Sequence, residues 1–348
     1  MFQFLIMNNV ILDDIGSYPL PVGVSKEWIQ KAFSNYYERE KLFPLTNAAF
    51  QQKIDAGVEA PTYPQYQDMT EQFLSIIKDP DSTEEPFKVK ERDAKIVELE
   101  AIQPAAYEYM QSHGGKPNTR ICITGPLELY LKEFGGTEYT DILYLFAENV
   151  DRFLKNSVEN SGYLNVSVVS IDEPSIGINP QVMFDDDTLI EALKIASKSA
   201  HKKGIDVQIH LHSPLHYKIA CATSQVNVIG VESAGHPSYL DLIDKKVLED
   251  SDSFLRVGVA RTDISNLVSV LNDKYNTNVW RDAARLKELV TDLETPDVIR
   301  KRFEKAYSIF GDRIKYVGPD CGLGSWPSQE IAFQLLQNVT AGVKSANI

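Results

Sequence analysis

The chain has 348 residues, 43% hydrophobic and 24% charged, the proportions of a soluble globular protein with room for a large buried core. Its 49 acidic residues against 35 basic ones give a net charge of −14, which repels phosphate backbones and anionic lipid and argues against nucleic-acid and membrane partners. Cys122, Cys221 and Cys321 are too few and too scattered for a disulfide framework, and no run approaches the ~18 apolar residues of a membrane span, so a cytoplasmic protein is expected.

The opening Met1–Met7 is apolar but short and lacks the positive flank of a signal peptide. Val10-Ile11-Leu12 predicts a strand running into Asp14-Ile15-Gly16-Ser17-Tyr18-Pro19, where Gly16 permits a close backbone approach and Pro19 stops the strand. A helix is predicted over 25–55 behind a Ser25 cap, then a weak strand near 58, a proline-marked loop through Tyr63, and a helix over about 67–78. The charged, proline-bearing stretch 79–92 reads as a surface loop, and 97–113 as helix. Strand Arg120–Ile123 precedes Thr124-Gly125-Pro126. An amphipathic helix over 139–160 leads to strand Leu164–Ile171, closed by Asp172-Glu173-Pro174. Gly204 stops a helix over 186–203. Strands then follow at Val207–Leu211, 226–231 and Phe254–Val259. A charged helical stretch over 280–310 is broken near Pro296, and strand 314–317 and a helix over 328–343 complete the chain.

Seven clear strands and one weak one, mostly separated by helices, imply parallel pairing in a closed (β/α)8 TIM barrel. Residues 1–348 would form one catalytic domain with surface insertions at about 79–92 and 270–312. Small or ionisable residues collect after the strands: Ser17, Thr124, Asp172, His212, Glu232, Asp263 and Cys321. In a barrel those ends converge on one mouth, where barrel enzymes do their chemistry. No glycine-rich dinucleotide or phosphate loop is present.

Val207-Gln208-Ile209-His210-Leu211-His212 alternates, so Gln208, His210 and His212 share one face of a strand end. Glu232 and Cys321 also stand where short apolar runs stop. Imidazole, imidazole, carboxylate and thiolate make a chemically sensible shell for zinc. The plainer alternative is a coincidental His-x-His on a solvated strand.

The motifs Asp14–Pro19, Thr124-Gly125-Pro126, Ile171-Asp172-Glu173-Pro174, His210-x-His212, Glu232 and Gly318-Pro319-Asp320-Cys321-Gly322-Leu323 come in the order found in the catalytic domain of cobalamin-independent methionine synthase. The resemblance spans about residues 10 to 340 and is specific through the ordered set rather than any single motif. It implies a (β/α)8 barrel of the methionine synthase/uroporphyrinogen decarboxylase-like kind, with zinc held by His, Cys, Glu and Cys and a homocysteine thiol as methyl acceptor. Carried over, His210, Glu232 and Cys321 match three ligands, and His212 stands in the place of a cysteine. The alternative for His212 is a hydrogen-bonding role beside the ion, with His216 or water completing the shell.

The resemblance also implies that Asp172 binds the substrate ammonium group, and that Ser17 and the amides around Gly16 take its carboxylate. The plain readings are a helix-capping carboxylate and an ordinary turn. The chain departs from the long folate-using synthases in three ways. Their duplicated N-terminal half has no counterpart before residue 10. Their proton-delivering His aligns with Asp263, and an ammonium-binding carboxylate in the second loop aligns with Tyr63. These departures resemble the short, core-type members of archaea and anaerobes, and imply methylcobalamin or a methylated corrinoid protein as donor, whose cob(I)alamin leaving group needs no proton. Asp263 is then a minor catalytic candidate, a vestige or a surface charge, and Tyr63 a substrate-binding candidate. Trp326 is read as packing or as a flat face for a cofactor, and Cys122 and Cys221 as inert thiols. The expected activity is homocysteine methylation; the alternatives are methylation of another thiol such as coenzyme M, or an inactive barrel that binds zinc or a corrinoid protein.

Overall fold

The computed structural model describes residues 10–348, so Met1–Met7 lies outside the described residues. Seven strands form one parallel sheet: β1 (Ile11–Leu12), β2 (Asn118–Thr124), β3 (Asn165–Asp172), β4 (Asp206–Leu211), β5 (Val228–Val231), β6 (Phe254–Ala260) and β7 (Ile314–Pro319). Their order is β1-β7-β6-β5-β4-β3-β2. Both edges reach the same segment: Ala60 bridges Asp13 beyond β1, Thr62 bridges Arg120 in β2, and Gln65 bridges Ser17. The sheet is therefore curled. Pro61 and Pro64 have no N–H to give, which limits this segment to isolated bridges instead of a ladder.

Curling gives the strands an outer and an inner face. Outward residues such as Ile121, Ile123, Val169, Ile171, Val207, Ile209, Leu211, Val257 and Val317 join the main apolar core under the helices. Inward residues are tiered. At the N-terminal end Ala60, Val168, Val228 and Tyr316 make a small separate apolar cluster. Above it Asp13 accepts from Arg120 Nη1 at 2.6 Å and from Arg256 Nε at 3.0 Å, all three side chains being fully buried. A buried charge is tolerated only when paired, and here one carboxylate ties β2 and β6 to the residue after β1.

The helices depart from the sequence expectation where local capping competes. The run over 25–55 is two helices, Lys26–Ser34 and Tyr36–Asp55, because the Asn35 side chain accepts the Tyr37 and Glu38 N–H groups and starts a new helix. The run over 97–113 breaks at Ile102, with Pro104 opening the second piece. The stretch 79–92 holds a hairpin, Thr83–Glu85 against Lys88–Val89, turned by Phe87 at φ 64°. Within 280–310, only Pro296–Phe310 is a long α-helix. No helix among the described residues is long and apolar enough to cross a membrane.

Candidate metal centre

His210 is in β4, His212 just beyond its end, Glu232 follows β5, and Cys321 stands two residues past β7. One ligand atom from each lies within 4.8 Å of all the others. Glu232 Oε1 is 3.7 Å from His210 Nε2 and 3.4 Å from His212 Nε2, and Cys321 Sγ is 4.0 Å from His212 Nε2. Both ring nitrogens of His210 are buried with no hydrogen-bond partner, an arrangement that costs free energy unless something else binds there.

The electrostatics point the same way. Burial, reinforced by Asp320, raises the Glu232 carboxyl to about 8. Burial, then Glu232, pushes the Cys321 thiol well above its ordinary range. Burial lowers both imidazoles, and His212 with the Arg256 and Arg120 guanidiniums lowers His210 further. Without a cation the cluster is thus held neutral, with protons on oxygen and sulfur. A divalent ion would replace those protons. Two nitrogens, one oxygen and one sulfur suit zinc.

Supporting residues hold the loops in place. Asp320 accepts from the N–H groups of Ala234 and Gly235 at 2.8 and 2.7 Å, fixing the loop after Glu232. A Cβ on Gly258 would stand 1.8 Å from Asp320 Oδ1, so only glycine leaves that carboxylate its place. Glu173 accepts from Leu127 and Glu128 N–H at the start of helix Pro126–Phe134. In Asp172-Glu173 the second carboxylate is therefore the helix cap.

Asp172 lies on the inner face beside His210, its register partner. Its Oδ1 accepts from Ser170 Oγ at 2.7 Å, while Oδ2 is buried without a partner. Burial raises it to about 6 against the pull of Ser170, Arg120 and Arg256. Ser17 faces the loop after Cys321: its Oγ accepts from Gly324 N–H at 3.1 Å and its carbonyl from Leu323 N–H at 2.8 Å. The Gly16 carbonyl accepts from Lys53 Nζ and from Gln65 N–H, and a Cβ on Gly16 would sit 1.5 Å from Gln65 Oε1. Tyr63 is fully buried; its hydroxyl donates to the Cys122 carbonyl at 2.6 Å and accepts from Gln65 Nε2 at 3.1 Å. Asp263 stands apart from the four, paired with Arg261 through both oxygens and with Asn266. Although partial burial opposes it, those contacts hold the Asp263 carboxyl below its usual range. His216 is exposed against Gly177, outside the cluster, and Trp326 is buried.

Sequence reasoning missed Asp13, Arg120, Gln208 and Arg256. Polar or charged residues within apolar strands, or at their ends, were their only signal, since their partners are 88 to 243 residues away. A cleft of about 760 Å³ also opens at the N-terminal end, lined in part by Ile11, Glu59, His113 and Lys344. None of the buried unpartnered side-chain atoms belongs to its lining.

No protein-family profile matches the chain. A methionine synthase from Methanothermobacter marburgensis is 26% identical over 181 residues, 52% of this chain and 46% of that protein. The chain thus matches about half the length of that curated relative. The structure of a B12-independent methionine synthase from a Shewanella species, in complex with selenomethionine, superposes with a TM-score of 0.61 over 97% of each chain at 12% identity. The chain is similar in sequence to one methionine synthase and shares the α/β fold of another.

Proposed function

We propose that the protein is a zinc-dependent methyltransferase that makes methionine from homocysteine, built as one (β/α)8 domain in which residues 60–65 close the sheet. The observation that carries this reading is the convergence of His210, His212, Glu232 and Cys321 about one point, with both nitrogens of the buried His210 unpartnered. The methionine synthase relative supports the choice of acceptor. When bound, zinc would act as a Lewis acid that lets a thiol ionise at neutral pH, where a free thiol near 8.5 is mostly protonated.

The chain's own residues do the rest. Asp172 receives the substrate ammonium on its free Oδ2, within the enclosure that keeps water from competing. Ser17 and the Gly16 turn face the substrate carboxylate and tie it to the loop that carries Cys321. Tyr63 is a post between the 60–65 segment and β2, because its hydroxyl is committed to the Cys122 carbonyl and to Gln65. Asp263, ionised and clamped by Arg261, is a poor proton donor. A leaving group that departs without a proton therefore suits this site, and a methylated corrinoid, free or carried by a protein, is the donor we favour. The Shewanella protein is described as B12-independent. At 12% identity it bears on the fold, so the donor must be tested directly.

The test offers zinc-loaded protein homocysteine or coenzyme M, with methylcobalamin or methyltetrahydrofolate as donor. Methionine is expected from homocysteine with methylcobalamin. Product only with methyltetrahydrofolate would overturn the donor, methylation of coenzyme M alone would overturn the acceptor, and no stoichiometric zinc would overturn the site.

A further inference from the structure

The chain runs from Cys321 into Gly322-Leu323-Gly324, so the sulfur of the metal centre stands on a backbone that carries little of its own stiffness. Neither glycine has a positive φ, so the backbone conformation there is open to any residue. What excludes a side chain is Ser17. A Cβ on Gly322 would stand 2.0 Å from Ser17 Oγ, and one on Gly324 would stand 3.0 Å from Ser17 Cβ. Ser17 holds this segment twice. Its carbonyl accepts from Leu323 N–H at 2.8 Å, and its hydroxyl oxygen accepts from Gly324 N–H at 3.1 Å. On the other side of Cys321, Asp320 N–H donates to the Ala260 carbonyl at 2.8 Å. The ligand therefore hangs between a clamp at the end of β6 and a clamp on the turn after β1.

The two clamps act on different backbones. The first continues β7 and shares the stiffness of the sheet. The second holds a segment whose glycines lose more freedom on ordering than any other residue, so it needs a grip from outside. Leu323 supplies part of that grip, because its side chain is buried. The Ser17 hydroxyl supplies the rest, at the residues on either side of Leu323. Ser17 is itself fixed to the segment that closes the sheet, through its bridge to Gln65. A metal ligand has to be held within about 0.5 Å of its working place, which a loose Gly-Leu-Gly segment would not do. The hydroxyl oxygen accepts from Gly324 and leaves its own hydrogen for the substrate carboxylate, so the two roles do not compete.

We propose that Ser17 is a positioning residue for Cys321: packed on Gly322 and bonded to Gly324, its hydroxyl fixes where the thiol meets the metal. The inference rests on the metal-centre reading above, and its test uses no substrate. In metal-free protein, the Gly324 amide should exchange about fivefold faster in Ser17→Ala than in wild type, while Leu323, bonded to a backbone carbonyl, keeps its protection. Cobalt(II) then reports the sulfur through its thiolate-to-metal charge-transfer band. Ser17→Ala should weaken cobalt about fivefold, because Cys321 is then in place only part of the time. Gly322→Ala, whose methyl drives the hydroxyl off Gly324, should weaken it similarly with Ser17 intact. The double variant should match Ser17→Ala to within about twofold, since the atom that the methyl meets at 2.0 Å is gone. A role in folding alone would lower the Tm of these variants and leave cobalt affinity and the band unmoved. Cobalt affinity within about twofold of wild type in both single variants overturns the proposal, as do losses that simply add in the double variant. An unchanged Gly324 amide in Ser17→Ala overturns it too. If Ser17→Ala does not fold, Gly322→Ala decides by the same two measurements. A wild type that binds cobalt without the charge-transfer band overturns the metal centre, and this inference with it; a wild-type band unmoved in the variants overturns this inference alone.

Discussion

At the N-terminal end of the sheet, Asp206 receives the Tyr316 hydroxyl at 2.6 Å, the Lys315 ammonium at 2.7 Å and the Asn227 amide at 2.7 Å. At the C-terminal end, Asp172 receives only Ser170, and His210 receives nothing. Both ends are built on the same parallel strands with similar side chains. The difference is that folding surrounds the Asp206 carboxylate with donors and leaves Asp172 Oδ2 and both nitrogens of His210 without partners. An unmet buried ionisable group is costly, and a carboxylate and an imidazole left open side by side mark a site that something else completes. Between the ends lies the Asp13–Arg120–Arg256 tier, which separates an apolar base from the chemistry.

Breaking that middle tier should give the largest effect. Asp13→Leu strands two fully buried guanidiniums and should destabilise by about 3–5 kcal/mol, read as a lowered midpoint in urea. A loss under 1 kcal/mol would mean that water reaches the tier, and the two ends would not then be insulated from one another.

The ends themselves can be separated by zinc. Ligand at about 100 times its Kd stabilises the folded state by ~2.7 kcal/mol, so zinc should raise the Tm of wild-type protein by several degrees and that of His210→Ala by almost none. Asp206→Asn should lower the Tm at the outset while leaving the zinc-induced rise intact. Equal responses of the two variants would erase the distinction drawn here.

Much of this contrast is legible in the sequence for a simple reason. Alternation along Val207–His212 assigns apolar residues to one face and His210 to the other, and the strands end at Glu232 and just before Cys321. Period and strand end are local properties. The middle tier is not local: Arg256 finds Asp13 across 243 residues, and nothing near either announces the other. Glu173 was hidden differently. It stands next to a residue with a stronger claim, and its role as a helix cap depends on where helix Pro126–Phe134 points. The helix breaks at Asn35 and Ile102 escaped because apolar periodicity continues through both, while capping and proline placement decide the backbone.

The smallest expected effect tests the open carboxylate alone. Burial raises Asp172 to about 6, so above that pH it is an anion that can pair with an ammonium group, and below it a neutral acid that cannot. Affinity for an α-amino acid should then be full above pH 6 and fall about tenfold per pH unit beneath it, ~1.4 kcal/mol each, because the ammonium stays charged throughout that window. Methionine binding to metal-free protein, followed by calorimetry between pH 4.5 and 7.5, keeps a reacting thiol and the metal ion out of the measurement. Asp172→Asn should bind more weakly at pH 7.5 and lose the inflection near 6. An inflection that survives in Asp172→Asn would assign it to another group. Binding that is flat in the wild type would place the ammonium elsewhere.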